Sequence, residues 1–310
     1  MTKQTFDPGL TNQYGGEMRR TIDKDGSFNV RRRGGSGFNF YLFLIDTTWP
    51  KFIAVVGTAY FIVNLVFAGL FVAAGTDHLY GANTNTGLGP FLSAFFFSVH
   101  TLTTVGYGSM YPTGLAANII AAMEAMTGLM GFALATGLLY GRFSRPSAKI
   151  VFSDVMLIAP YQDGASLQFR IANERDNVLL ELEASVLMMY VDKTESEPRR
   201  KFIGLTLERS TVYFFPLTWT VVHPIIADSP IYQKTAEDLA KMEAEFLILV
   251  KAFDDTFSQT VHARYSYRHE EIVWGARFQP AFFVDSTGDM VLELNRVNDR
   301  KLIETPARIS

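Results

Sequence analysis

The chain lacks the residues that many enzymes and metalloproteins depend on. Among its 310 residues there is no cysteine, which excludes disulfide bonds and thiolate metal sites. Its five histidines show no spacing typical of a metal site. No arrangement of serine, histidine and aspartate indicates nucleophilic catalysis. We therefore expect neither a resident metal nor an enzymatic activity.

An excess of basic charge is also missing. The 28 Lys and Arg residues are balanced by 31 Asp and Glu residues, which gives a formal net charge of −3. A protein that binds nucleic acid through its phosphates is usually basic over the binding domain. The charge balance therefore disfavours a nucleic-acid partner.

Charged side chains are absent from one long stretch. Residues 52–74, FIAVVGTAYFIVNLVFAGLFVAA, contain none. A helix of that length rises about 35 Å, enough to cross a hydrocarbon core of roughly 30 Å. A second apolar stretch, residues 115–140, contains one acid, Glu124. Because an acid is costly in lipid, we expect Glu124 to face the helix bundle, either in a structural hydrogen bond or lining a pore.

A shorter apolar segment lies between the two spans. Residues 90–104, PFLSAFFFSVHTLTT, are too few to cross a membrane and contain no glycine. This length is typical of a re-entrant helix that is buried among spanning helices. The sequence thus predicts two spans with a short helix between them.

The motif TVGYG, residues 104–108, follows the short helix directly. Two glycines offer a soluble core little, because each adds ordering entropy and has no side chain to pack. At membrane depth, irregular backbone persists only where it is buried in protein or lines water. The carbonyl oxygens of Thr104, Val105, Gly106 and Tyr107, with the Thr104 hydroxyl, can replace the hydration shell of a monovalent cation. Gly106 and Gly108 permit the backbone angles that point successive carbonyls the same way.

One such segment supplies only part of a coordination shell. An ion on an axis needs a ring of segments, so we expect a homo-oligomer, most simply a homotetramer. Orientation follows from the positive charges, which are absent from residues 75–90. The Lys and Arg residues lie on the other sides of the two spans: Arg19, Arg20, Arg31, Arg32, Arg33 and Lys51 before the first span, and Arg142, Arg145 and Lys149 after the second. This distribution predicts a plasma (inner) membrane protein with both termini in the cytoplasm.

The rest of the chain divides into three regions. Residues 1–35 are polar and rich in glycine, which predicts a flexible cytoplasmic N-terminus. Residues 36–145 contain the pore domain, and its first part, SGFNFYLFLIDT, predicts an interfacial helix or an ordinary packed amphipathic one. Residues 146–310 alternate in short apolar runs and predict a domain of β-strands, although the pattern weakens after about residue 290.

These motifs resemble the inward-rectifier potassium channels, especially the prokaryotic ones. The resemblance rests on TVGYG between two spans, on TWTVVHPIIADSPIY (218–232) and on HARYSYRHEEIVWGARF (262–278). It implies a tetramer of two-span subunits that conducts K⁺ passively, with an immunoglobulin-like β-sandwich in the cytoplasm. The helix at residues 36–47 then corresponds to the family's slide helix.

The resemblance also implies roles for single residues. Gly128 and Gly137 fall on the family's two inner-helix glycines, which serve as hinges or as close-packing positions. Tyr140 falls at the bundle crossing, where four bulky side chains form a gate. Glu181 aligns with an acid of the cytoplasmic pore, although a solvated strand face is an equal alternative. A lipid-binding set for anionic headgroups is implied at Lys51, Arg142, Arg145 and Lys149, whose charge the positive-inside rule explains equally well.

The sequence departs from the family at three positions. His100 and Met110 replace a glutamate and an arginine that form an ion pair behind the filter in many members. Phe132 replaces the acid that strong rectifiers carry, so block by polyamines or Mg²⁺ is expected to be weak. A rival interpretation is a membrane-anchored receptor whose sandwich binds a ligand. The intact glycines disfavour it, because a protein that does not conduct gains nothing from them.

Overall fold

The computed structural model describes residues 9–16, 20–31, 33–34, 39–83, 87–144, 148–194 and 197–303. The chain divides into two units, one of residues 34–145 and one of residues 1–33 with 146–310. The first unit is helical, and the second is built mainly of β-strands. The predicted change of texture along the sequence therefore corresponds to a change of secondary structure.

Among its described residues, the helical unit contains four α-helices, one turn of 3₁₀ helix (Thr76–His78) and one short two-stranded ladder. In chain order these are α1 (Phe40–Asp46), α2 (Trp49–Ala74), β1 (Leu79–Tyr80), α3 (Gly89–Leu102), β2 (Tyr111–Pro112) and α4 (Gly114–Phe143). Helices α2 and α4 are long and apolar enough to cross a membrane, and α3 is an apolar helix too short to do so. The two predicted spans and the short helix between them are confirmed, and each span is a few residues longer than the apolar stretch that predicted it.

A small apolar core holds α3 between its neighbours. Phe71 of α2 packs edge-on against Phe97 of α3, with ring centroids 5.0 Å apart. Ala68 and Ala94 are fully buried beside them. Small side chains let helices approach closely in a membrane, where packing is the main attraction between them. The short helix is thereby fixed immediately before the TVGYG segment.

The second unit contains fourteen strands, one α-helix, α5 (Ala236–Lys241), and two turns of 3₁₀ helix within the described residues. The strands are β3 (Ile150–Phe152), β4 (Met156–Tyr161), β5 (Gly164–Asn173), β6 (Leu179–Asp192), β7 (Arg199–Leu205), β8 (Thr211–Phe215), β9 (Thr218–Ile225), β10 (Glu245–Asp254), β11 (Gln259–Arg268), β12 (Ile272–Trp274), β13 (Ala276–Phe278), β14 (Phe282–Val284), β15 (Met290–Leu292) and β16 (Arg300–Leu302).

Two five-stranded sheets form the core of this unit. One sheet has the order β11-β10-β6-β7, with β8 also paired to β6, and the other has the order β12-β4-β5-β3, with β9 also paired to β5. Alternate residues of β6 and β10 are buried, such as Leu182, Ala184, Phe246 and Ile248. They pack with Phe169 and other residues of the opposite sheet in one apolar cluster. This arrangement is a β-sandwich, as the alternating pattern predicts.

The N-terminal segment differs from its prediction. Residues 20–31 pack against the sandwich and are not a separate flexible tail. The Thr21 amide and hydroxyl donate to the buried carboxylate of Glu245, at 2.9 and 2.8 Å. The Ser266 hydroxyl donates to the Ile22 carbonyl at 2.7 Å, and Arg20 forms an ion pair with Glu271. These residues bond to side chains at least 224 positions away in the sequence, which composition does not reveal.

His223 of β9 is buried, and hydrogen bonds at both of its ring nitrogens hold it in place. Its Nδ1 lies 2.7 Å from the Thr206 carbonyl oxygen, and its Nε2 lies 2.8 Å from Ser229 Oγ. A carbonyl only accepts, so Nδ1 carries the hydrogen, and Nε2 accepts from the Ser229 hydroxyl. Burial lowers the pKa of His223 below its usual 6.5, against a smaller opposing effect of the Thr206 carbonyl.

This lowered pKa predicts that acid weakens the sandwich. Below pH 6.5 the unfolded chain takes up a proton at His223 that the folded chain resists, so the unfolding free energy falls as pH falls. We expect the denaturant midpoint, followed by tryptophan fluorescence, to drop between about pH 7.5 and about pH 5.5. His223→Gln should reduce this dependence, while the control His262→Gln, at an exposed position, should retain it. Equal pH dependence in wild type and His223→Gln would contradict the assignment.

Candidate ion-binding segment

Residues 103–108 leave the end of α3 through a tight hydrogen-bonded turn. The amide groups of Val105 and Gly106 both donate to the His100 carbonyl oxygen, at 2.9 and 3.3 Å. The Thr103 hydroxyl donates to the Val99 carbonyl at 2.6 Å. The last carbonyls of the helix are thus satisfied by the segment that follows it. This turn fixes where the irregular backbone begins.

The backbone angle φ of the segment is positive at every second residue. Thr104, Gly106 and Gly108 have positive φ, at 60°, 55° and 76°, while Val105 and Tyr107 between them do not. In a regular strand successive carbonyls point to opposite sides, and a left-handed conformation at every second residue brings them toward the same side. Glycine reaches the left-handed region without a steric penalty, whereas threonine is uncommon there. The two glycines are therefore required by the backbone.

One side chain of the segment contacts the helix that precedes it. The Tyr107 ring packs edge-on against the His100 ring, with centroids 4.8 Å apart. Tyr107 is nevertheless 73% exposed and Val105 is 50% exposed in the single chain. His100 thus supplies an aromatic contact to the segment. Sequence reasoning missed this contact because it depends on the turn that brings residues 100 and 107 together.

The two alternatives for Glu124 are now distinguished. Its side chain is fully buried and forms a hydrogen bond with Ser98 of α3, which in turn lies 3.0 Å from Asn64 Oδ1 of α2. Glu124 therefore lies between helices within the subunit and does not line an open surface. The structural hydrogen bond is the alternative that the geometry favours.

The two inner-helix glycines have different surroundings. A Cβ atom built on Gly128 would lie 2.1 Å from the Leu102 carbonyl oxygen, while one built on Gly137 meets nothing within 4 Å. Gly128 is therefore a close-packing position between α4 and the last residue of α3. Phe132 and Tyr140 of the same helix are both 74% exposed in the single chain.

Arg142 joins the ends of three helices. Its Nη atoms donate to the carbonyl oxygens of Leu44 and Ile45, at 2.5 and 3.0 Å, and of Thr47, at 2.7 Å. Its guanidinium also lies 4.7 Å from the ring centroids of both Trp49 and Phe52. These contacts leave few donors for a lipid headgroup. The lipid-binding role of Arg142 stays a prediction.

The other predicted lipid-binding residues have simpler environments. Lys51 and Lys149 are exposed, and Arg145 lies outside the described residues. A helix is observed at this position as α1, whose Leu44 and Ile45 are buried while Phe40 and Tyr41 stay exposed. Because residues four apart share a face of a helix, burial in α1 changes along its length, from an exposed first turn to the two buried residues of its last turn. Its place at the membrane interface stays a prediction.

Glu181 lies at an irregularity of β6, not on a regular strand face. Its φ is 49°, and the pairing of β6 with β10 shifts register between Lys251 and Phe253. It lines a cavity of about 380 Å³ together with Glu183, Lys251 and Thr211. Such β-bulges change the direction in which a side chain points. The sequence does not reveal the bulge, because ELEAS reads as ordinary alternation.

Two spanning helices around a re-entrant helix and a glycine-containing loop, followed by a β-sandwich, define a pore-forming membrane protein. Comparison with known proteins gives the same class. Residues 51–145 match the family described as "Ion channel", and residues 150–310 match the "Inward rectifier potassium channel C-terminal domain". The chain belongs to the inward-rectifier potassium channel family.

Individual relatives cover nearly the whole chain. Inward rectifier potassium channel Kirbac3.1 from Paramagnetospirillum magnetotacticum is 36% identical over 285 residues, which cover 90% of this chain and 95% of the relative. G protein-activated inward rectifier potassium channel 2 from Mus musculus is 25% identical, over 94% of this chain and 74% of the relative. Among solved structures, sporulation control protein Spo0M from Bacillus subtilis aligns with 44% of this chain and 59% of that chain at 12% identity, and its TM-score of 0.25 is too low to indicate a shared fold.

The contrast between the two glycines gives a matched pair of substitutions. Gly128→Ala places a methyl group against the Leu102 backbone and should destabilise the protein by about 1–3 kcal/mol. Gly137→Ala meets no neighbour in the chain and should change stability by about 1 kcal/mol or less. Thermal unfolding of the purified protein in detergent measures both. An equal loss in the two variants would contradict the close-packing role of Gly128.

The contacts of Arg142 predict a loss of stability that does not depend on lipid charge. Arg142→Lys keeps the charge but loses the planar set of donors, so we expect a loss of about 1.5–3 kcal/mol in neutral and in anionic vesicles alike. Lys51→Gln, at an exposed position on the neighbouring helix α2, is the control and should have little effect. A loss confined to anionic vesicles would instead support lipid binding by Arg142.

Proposed function

We propose that this chain is one subunit of a homotetrameric channel that conducts K⁺ passively and selectively. The observation that carries the proposal is the alternating hand of residues 104–108, with positive φ at Thr104, Gly106 and Gly108. Four such segments around an axis present rings of carbonyl oxygens from Thr104, Val105, Gly106 and Tyr107, with the Thr104 hydroxyl as the innermost ligand. K⁺ is the transported ion in this proposal, and it exchanges its water shell for these oxygens.

Gating is proposed at the cytoplasmic end of α4. Tyr140 is a bulky side chain that is largely exposed in the single chain, and four copies around an axis can close a pore by excluding water. Gly137 is the more suitable of the two glycines for a hinge, because a Cβ atom built on it meets no described residue within 4 Å. Gly128 is instead suited to packing.

We propose that anionic lipid modulates the channel through the predicted lipid-binding residues other than Arg142, whose guanidinium is bound to carbonyl groups of α1 and Thr47. Lys51 and Lys149 are exposed and can approach headgroups at the cytoplasmic surface, where both termini are proposed to lie. Arg145 belongs to the predicted set as well.

In the β-sandwich, Glu181 and Glu183 line one cavity, and acids there can raise the local cation concentration if that cavity faces the cytoplasmic pore.

The filter proposal predicts that Gly106 is essential for transport and dispensable for folding. Gly106→Ala forces a Cβ onto a residue with φ of 55°, although nothing in the chain lies within 4 Å to clash with it. We expect Ba²⁺-sensitive uptake of radioactive rubidium into proteoliposomes to fall to background, while the tetramer still assembles.

The matched control is Gly131→Ala, which also meets no neighbour but lies within helix α4. It should keep most of the rubidium uptake. The receptor interpretation predicts a different result, because a tetrameric wild type would then show no Ba²⁺-sensitive uptake in any lipid.

A further inference from the structure

Three polar side chains meet at the packed centre of the helical unit. Asn64 of α2, Ser98 of α3 and Glu124 of α4 are each fully buried. They take no part in the proposed conduction path. In a hydrocarbon environment such groups persist only when they bond to one another, so their hydrogens can be assigned one by one.

Ser98 determines the assignment because its hydroxyl has a single hydrogen. Ser98 Oγ lies 3.0 Å from Asn64 Oδ1 and also contacts Glu124 Oε1. If Glu124 were ionised, both neighbours would be acceptors, and one contact would set two oxygens against each other without a hydrogen. One of the two neighbours must therefore donate to Ser98.

Asn64 is not that donor. Its Nδ2 donates to the Tyr60 carbonyl at 2.8 Å, which fixes the orientation of the amide group. Turning the amide around would give Ser98 a donor, but it would place Oδ1 against the Tyr60 carbonyl oxygen. The hydrogen between Ser98 and Glu124 consequently belongs to Glu124.

The surroundings of Glu124 agree with a neutral acid. Its second oxygen, Oε2, is buried and has no hydrogen-bond partner in the described part of the chain. Among the described residues, no lysine, arginine or histidine forms an ion pair with it. An unpaired carboxylate in such a place is far more costly than an unpaired carbonyl oxygen of a neutral acid.

We propose that Glu124 is a protonated positioning residue that holds the short helix before the filter. Its hydroxyl donates to Ser98, Ser98 donates to Asn64, and Asn64 donates to the Tyr60 carbonyl. This one-way chain of three hydrogen bonds joins α4, α3 and α2. That it also sets the filter geometry rests on the proposed function of residues 104–108.

The position of this chain explains why it acts on the filter. Ser98 lies one helical turn before Leu102, the last residue of α3, and Glu124 lies one turn before Gly128. Gly128 is the residue that packs against the Leu102 carbonyl. Two contacts one turn apart on both helices fix the axial position and rotation of α3, from which Thr104 to Gly108 continue.

The proton on Glu124 is tested directly by infrared spectroscopy of the purified protein in lipid. At neutral pH, the difference spectrum of wild type minus Glu124→Gln should contain the carbonyl stretch of a protonated carboxyl group. In Ser98→Ala the frequency of this band should shift, because the carboxyl group loses its hydrogen-bond partner. A difference spectrum with only carboxylate bands overturns the proposal. This readout does not depend on ion conduction.

The positioning role is tested by rubidium flux and selectivity over sodium. Glu124→Gln keeps a neutral donor and an acceptor, so it should retain selectivity within about twofold of wild type. Glu124→Met and Ser98→Ala break the chain and should reduce selective rubidium uptake about tenfold or more. Thr127→Val is the control, because the Thr127 hydroxyl bonds only to the Met123 carbonyl of its own helix.

The outcomes separate this inference from the proposed function. A tetrameric wild type without Ba²⁺-sensitive flux contradicts the proposed function, and the infrared band still decides the proton. A conducting wild type with equal selectivity in Glu124→Gln and Glu124→Met overturns the positioning role alone. If Ser98→Ala does not assemble, the same Gln and Met pair decides the question.

Discussion

The close approach of α4 to the end of α3 is the contact on which the helical unit depends. The absence of a side chain at Gly128 lets the inner helix reach the Leu102 carbonyl, where even a methyl group does not fit. One turn away, Glu124 and Ser98 hold the same two helices by a buried hydrogen bond. The first contact sets how near the helices lie, and the second sets their rotation and axial register. A backbone segment that presents carbonyl oxygens needs both, because it has few side-chain contacts of its own.

At the C-terminal end of α4, the charged side chain of Arg142 also holds helices together. Its guanidinium binds the carbonyl oxygens at the end of α1 and faces the aromatic rings at the start of α2. Carbonyl groups at a helix C-terminus carry partial negative charge and have no partner within the helix, so a cation is favoured there. A movement of the C-terminal end of α4 therefore either carries α1 along or breaks these bonds.

The sequence was sufficient for features that depend on local pattern. The spans, the short helix and the glycine motif follow from apolar length and from the conformations that glycine allows, and the structure has all of them near the expected boundaries. Its limits appear where distant residues meet. The docking of Thr21 on Glu245, the His100–Tyr107 contact and the bulge at Glu181 each depend on a partner or register that no local window contains. The short strands β15 and β16, after residue 290, were missed because three-residue runs have no detectable alternation.

The distribution of polar and exposed residues in the helical unit separates two kinds of position. Asn64, Ser98 and Glu124 are fully buried within one chain and bond to one another there. Val105, Tyr107 and Tyr140 instead stay largely exposed, although they lie next to the proposed ion path. A single carbonyl ladder cannot surround an ion, and a single tyrosine cannot close a pore. In the proposed tetramer, the parts that one chain leaves open are the parts that the other chains complete, whereas the contacts that hold each filter segment in place are internal to the chain.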